Sequence, residues 1–210
     1  MAEQSAHSEP RLKILLVGAS GTLGRAVHAE LAQRHDIVTA GRNSGDHRVD
    51  ITNSDSIHAL FAKVGELDAI ACAAGSVHFG PLAEMTDERY AIGLRDKLMG
   101  QVNLALRGTP NLRDGGSITL IAGILAEQPI RTGSSASMVN GALEAFARAA
   151  AIELPRGLRI NAVSPNVFVE SMGSYGPFFR GFEAIPVARA ALAYSRSVEG
   201  AQTGQVYRVY

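Results

Sequence analysis

The sequence predicts an α/β fold, a single domain on a doubly wound sheet of seven parallel strands. Three observations predict it. Short apolar runs alternate with amphipathic helical stretches from Leu12 to Val209. At 210 residues the chain has the length of one domain, one that buries about 70% of its unfolded surface. The 22 glycines against 8 prolines mark tight turns between regular elements rather than disorder. Parallel strands need crossovers, and crossover helices cover both faces of such a sheet.

In order, Leu12–Val17 is a buried strand closed by Gly18, and Thr22–Arg34 is a helix with Leu23, Val27 and Leu31 on one face. Ile37–Ala40 and Arg48–Ile51 read as strands, and Ser54–Val64 as a helix burying Ile57, Leu60, Phe61 and Val64. Strand Asp68–Ala71, the long helix Thr86–Arg107, strand Ile118–Ile121 and the long helix Ser135–Leu154 follow. Strand Leu158–Val163, helix Pro186–Ser197 and strand Gln205–Val209 close the series. Residues 1–10 read as a flexible leader to a domain spanning 11–210. The irregular stretch Ser164–Ile185 holds Gly173, Tyr175, Gly176, Pro177, Phe178, Phe179, Gly181 and Phe182, and a loop that long and aromatic reads as a lid or binding loop.

Composition excludes several functions. Twenty basic and twenty acidic residues cancel, so no net field favours nucleic acid or an anionic membrane. The one cysteine, Cys72, allows no internal disulfide and no cysteine-based zinc site, and no metal site is expected. No apolar run nears the roughly 18 residues of a membrane span, and the polar start Met1–Pro10 lacks a signal core, so the expected compartment is the cytoplasm. Only Lys13, Lys63 and Lys97 are lysines.

Gly18-Ala19-Ser20-Gly21-Thr22-Leu23-Gly24 links the first strand to the first helix. There free backbone N–H groups and the positive helix end would hold a dinucleotide pyrophosphate, and glycines clear its approach. Gly18, Ser20, Gly21, Thr22, Leu23, Gly24 and Arg25 are therefore candidate cofactor contacts. The second strand ends Thr39-Ala40-Gly41-Arg42, without the acid that would bind a ribose 2′-hydroxyl. Arg42, with Arg25, would instead pair a 2′-phosphate, which favours NADP(H) over NAD(H); either arginine could equally be a solvated surface charge.

These motifs and others resemble the short-chain dehydrogenase/reductase family, a Rossmann-type fold, over nearly the whole chain. Asp50-Ile51-Thr52 is similar to the family's adenine-binding segment, and Cys72-Ala73-Ala74-Gly75 to its Asn-Asn-Ala-Gly turn. Asn161-Ala162-Val163-Ser164-Pro165-Asn166, followed by Val167, resembles the segment beside the nicotinamide, and Thr203-Gly204-Gln205 the start of the last strand. The resemblance implies cofactor contacts at Asp50, Ile51, Ala73, Ala74, Gly75, Pro165, Asn166 and Val167.

The family's chemistry uses a tyrosine acid/base, a lysine four residues later, a serine about thirteen residues earlier and an asparagine on the preceding helix. Alignment puts Ala136, Asn140 and Gly123 at the first three positions, so the usual side chains are absent. No tyrosine lies between Tyr90 and Tyr175, and no lysine follows Lys97. Lys97 itself stands at the relay asparagine, so lysine and asparagine have exchanged places on two helices that face one cavity in the family fold. Lys97 and Asn140 are candidate catalytic residues, and Lys97 a cofactor contact too. His78 is a third candidate, being a competent acid/base near pH 7. Ser134, Ser135 and Ser137 read mainly as helix caps, Cys72 as a small buried residue and Tyr175 as an apolar lid residue. The resemblance implies an oxidoreductase acting on a carbonyl or alcohol of unknown identity, or a non-catalytic nucleotide-binding or scaffold protein keeping the fold. It also implies a homodimer or homotetramer through the two long helices.

Overall fold

The computed structural model describes residues 10–210; the leader expected at 1–10 lies, but for Pro10, outside the described residues. Seven parallel strands form one sheet in the order β3-β2-β1-β4-β5-β6-β7. They are β1 Lys13–Val17, β2 Asp36–Gly41, β3 His47–Arg48, β4 Leu67–Cys72, β5 Leu112–Ile121, β6 Arg159–Pro165 and β7 Val206–Val209. Helices α1 Thr22–Leu31 and α7 Val187–Glu199 cover one face. The other is covered by α2 Ser54–Val64, α4 Gly100–Gly108 and α5 Ser134–Ala150, with α3 Asp87–Gly93 running into α4. A short α6, Met172–Tyr175, lies in the segment after β6.

The central strands are buried on both faces. Ile14, Leu15 and Leu16 are fully enclosed, as are Leu67, Ala69 and Ile118. Each of the leucines and isoleucines among them contributes about 1.5–3 kcal/mol. Packing is tight where α4 meets α2 and β4: a Cβ on Gly108 would overlap Ile70 Cδ1 and lie 2.6 Å from the Phe61 ring. Strand order reverses between β1 and β4, and the crevice at the carboxyl ends of those strands is where this architecture binds ligands.

The edges depart from expectation. β3 pairs with β2 only through Ala40↔His47 and Gly41↔Arg48. The expected strand Arg48–Ile51 ends early because Asp50 turns away, its N–H donating to Ser56 Oγ at 2.9 Å. The expected lid begins two residues later than read, since Ser164 and Pro165 belong to β6. Its neck is tied by backbone bonds from Ile185 N to Val167 O, 3.0 Å, and from Val169 N to Ile185 O, 2.9 Å.

The helix expected over Thr86–Arg107 is one rod with a flaw. Between α3 and α4, Leu94–Met99 forms a π-helical turn. Its cause is visible in Gln101, fully buried, whose Nε2 donates to Lys97 O at 3.1 Å and to Ile121 O at 2.9 Å. Gln101 Oε1 accepts from Ile121 N at 2.8 Å. A side chain inserted in the helical ladder widens the turn, and such turns recur at functional sites.

Candidate functional site

Two connected concavities lie at the carboxyl ends of the strands. The groove is lined by the glycine loop at Gly18 and Ser20, by Gly41-Arg42-Asn43-Ser44 after β2, by Val49 and Ile51, and by Ala74, Gly75, Ser76 and Asp96. Gly75 and Ser76 also line a cavity of about 450 Å³ whose walls come from β5, α5 and the segment after β6.

Two glycines of the loop, Gly18 and Gly24, leave no room for a side chain. A Cβ on Gly18, whose φ is +90°, would lie 2.8 Å from Ala73 O. One on Gly24 would overlap the Gly18 carbonyl oxygen and lie 2.8 Å from Ala19 Cα. α1 starts at Gly21 with no side chain capping it, whereas Asn53 Oδ1 caps α2 by accepting from Asp55 N and Ser56 N. The first N–H groups of α1 are thereby left for an anion.

Arg42 reaches across the groove. Its Nη2 pairs with Asp50 Oδ1 at 3.2 Å and Asp96 Oδ2 at 3.3 Å. Asp50 is the larger influence holding its guanidinium in the charged form, and Asp96 adds to it. Asp96 Oδ1 also accepts from Ser76 N at 3.0 Å, linking the groove to the π turn. Asp50 accepts from Thr52 N and Oγ1, which hold its carboxyl below the usual range. Arg25 is exposed and binds the Ser20 carbonyl, so it braces the loop without lining the groove; Gly21, Thr22 and Ala73 also shape the loop from outside the lining.

In the cavity the π turn turns Lys97 inward. Its Nζ donates to Ala122 O at 3.0 Å, beside Gly123 and Asn140. Burial pushes its ammonium down to about 8, against a smaller opposing pull from Cys72. A Cβ on Gly123 would lie 3.1 Å from Asn140 Nδ2, so Asn140 fills space that the missing side chain leaves. Asn140 is almost fully buried, and its Oδ1 has no hydrogen-bond partner among the described residues. Ala136, Pro165, Asn166, Val167 and Leu23 complete this part of the wall.

His78 does not line the cavity. Gly75, Ser76, Val77 and Phe79 do, whereas the Nε2 of His78 lies against Gly80. The serines at the head of α5 are not caps either: the cap position is Gly133 and no side chain caps the helix. Ser134 Oγ pairs with Tyr90 OH at 3.0 Å, while Ser135 Oγ and Ser137 Oγ have no partner among the described residues. Cys72 is buried, as read, and burial raises its thiol to about 12. Tyr175 lines the cavity, half-exposed, against Phe79 and Phe179. Sequence reasoning missed Asn43, Ser44, Ser76 and Asp96. The first two follow Arg42 directly and could have been found as donors beside it.

The profile of the family described as enoyl-(acyl carrier protein) reductase matches residues 13–207. The chain belongs to the short-chain dehydrogenase/reductase family. Among solved structures it is similar to the protein lin1944 from Listeria innocua, with 55% identity, a TM-score of 0.94, and coverage of 95% of this chain and 100% of that one. A small-chain dehydrogenase solved in complex with NADPH shares the fold at 23% identity, with a TM-score of 0.84 over 95% of this chain and 97% of that one. An uncharacterized oxidoreductase of Methylorubrum extorquens is 29% identical over 60% of this chain and 51% of its own length. The chain thus spans between about half and two thirds of the curated relatives it first matches. Among the described residues no helix is long and apolar enough to cross a membrane, and no group of three or more His, Cys, Asp or Glu side chains could hold a metal.

Proposed function

We propose that the chain is an NADP(H)-dependent oxidoreductase acting on a carbonyl or alcohol, with Lys97 and Asn140 in place of the family's tyrosine, lysine and serine. The observation that carries the reading is that Lys97 and Asn140 line one cavity, with Lys97 Nζ on Ala122 O next to Gly123, and that the groove beside the glycine loop shares Gly75 and Ser76 with it. The residues fit the cofactor. Gly18 and Gly24 form a cradle that a Cβ would fill, α1 offers uncapped N–H groups, and Asn140 Oδ1 is orphaned. When bound, the nicotinamide supplies or accepts hydride.

The chain's residues do the rest. The open end of α1 holds the pyrophosphate, with Ile51, Ala74, Pro165 and Val167 packing the flatter parts of the dinucleotide. Arg42 spends only Nη2 on Asp50 and Asp96 among the described residues, leaving Nε and Nη1 for a 2′-phosphate beside Asn43 and Ser44. The Lys97 ammonium donates to ribose hydroxyls or to the substrate oxygen, stabilises negative charge that develops there and holds a proton at Nζ. Asn140 accepts through Oδ1 and keeps a water or hydroxyl in register. A second reading, a non-catalytic nucleotide-binding protein, is favoured by Ala136 and Gly123, which present no hydroxyl to the cavity.

Calorimetric titration with NADPH and NADH, followed by NADPH oxidation against a carbonyl panel, tests the reading. NADPH should bind more tightly, and Arg42→Ala should weaken NADPH by roughly tenfold while leaving NADH within about twofold. Preference for NADH, or an indifferent mutant, would overturn the NADP(H) assignment. Binding without turnover of any carbonyl would select the non-catalytic reading.

We also place the partner as a second copy. Ile92, Met99 and Leu106 stand exposed at spacings of seven along the α3–α4 rod, and Met138 is exposed on α5. Sedimentation should show a dimer or tetramer that Leu106→Glu dissociates; a monomeric native chain would refute this.

A further inference from the structure

We propose that the cavity takes a neutral carbonyl compound whose body is an apolar ring system, held beneath an aromatic lid; this rests on the oxidoreductase reading above. The cavity is mainly apolar, with a few polar groups in its lining. Its floor is Lys97, Asn140 and the backbone of Ala122–Gly123, while Val77, Phe79, Ile124, Leu125, Phe168 and Phe179 supply much of the wall. A pocket largely apolar with a few convergent polar groups binds a ligand of the same division.

One polar group of the wall is already spent. Asn166 donates from Nδ2 to Glu183 O at 2.9 Å and accepts at Oδ1 from Val167 N at 2.7 Å, so its amide serves the lid's neck. Lys97 is the one cation among the lining residues, and no carboxylate lines the cavity. A substrate that places its carbonyl on Lys97 therefore finds no partner for a second charged group, and an unpaired charge in an apolar site is costly.

The roof is built from rings of two separate segments. Phe79, from the stretch after β4, lies 6.3 Å from Tyr175 of α6, centroid to centroid, at 58°. Tyr175 meets Phe179 edge-on at 6.4 Å, and Phe179 meets Phe182 at 5.2 Å. Phe79 and Tyr175 remain 36% and 44% exposed, apolar surface that a bound ring would remove from water. At about 450 Å³ the cavity sits near the small end of ligand pockets, with room for a monocyclic or bicyclic body beside a nicotinamide ring.

The test uses the full chain with NADPH, and 1-tetralone, pyruvate and 4-carboxybenzaldehyde as probes. Saturation-transfer NMR reads binding, and absorbance of the reduced cofactor reads turnover. 1-Tetralone should bind at least tenfold more tightly than either anion. Phe79→Leu and Tyr175→Ala, both at partly exposed positions, should each weaken it by about five- to tenfold. Equal or better binding of the anions, or no change in both variants, would overturn the proposal. Tetralone held without cofactor oxidation would refute the oxidoreductase reading and keep this ligand class. Turnover of pyruvate with no hold on tetralone would do the reverse.

Discussion

Lys97→Met is expected to weaken NADPH binding at least tenfold and to end carbonyl turnover, while making the fold more stable at pH 7. The first effect follows from losing charge-assisted hydrogen bonds, each worth on the order of 1.5–3 kcal/mol. The gain in stability follows from burial. Because the lysine titrates at about 8 in the folded chain, against 10.5 ordinarily, the unfolded chain binds the extra proton between those values. Stability therefore rises with pH across that window, and at pH 7 the whole penalty of burying the ammonium is present. Discounted for the part of the side chain open to the cavity, the penalty is about 1–2 kcal/mol. Methionine keeps the stem and removes the charge. Urea melts at pH 7 and pH 10 should show the mutant more stable at the lower pH and the difference closing at the higher. Wild-type NADPH affinity should also fall between pH 7 and 9, and the mutant's should not follow it. An unchanged dissociation constant in folded mutant would make the lysine–asparagine exchange a coincidence.

Gly24→Ala is expected to abolish the nucleotide site. The added methyl overlaps the Gly18 carbonyl oxygen and lies 2.7 Å from its carbonyl carbon, so the loop or α1 must move. Backbone cannot yield as a flexible side chain does; overpacking of this kind costs about 1–3 kcal/mol. The displaced part is the one whose N–H groups face the ligand. NADPH affinity should fall by roughly a hundredfold or more, with a lower denaturation midpoint. Gly21→Ala is the control, because its methyl would meet only Gly18 O, at an ordinary 3.6 Å. Equal behaviour of the two mutants would show that loop flexibility, and not close approach, accounts for the glycines.

Much of this was legible in the chain. The alternation of Leu12–Val17, Gly18 and Thr22–Leu31 announces strand, turn and helix, and repetition of that unit leaves little choice of architecture. What was not legible is of another kind. His78 lies outside the cavity although Val77 and Phe79 on either side line it, and an irregular segment does not encode which way each side chain turns. Ser135 and Ser137 look like caps in the sequence, but Gly133 occupies the cap position and the hydroxyls are carried inside. Asp96 carried no signal in the sequence, and is a buried link from Arg42 to Ser76 where the helix takes a wide turn. That turn depends on Gln101 reaching β5, a contact between residues 20 apart in the chain.

The wide turn at Leu94–Met99 also bears on what changes in length the gene can tolerate. Each residue removed from an ordinary helix rotates everything beyond it by about 100°. Deletion within α4 would therefore swing Leu104 and Ala105 off the sheet. A turn that already holds a surplus residue can lose one and relax to ordinary winding, with both flanks left in phase. The segment presenting the cavity's one ammonium is thus also the place in this rod where a single codon can be lost without dismantling the domain. Chemistry here can evolve by deletion, in a rod whose ordinary turns permit only substitution.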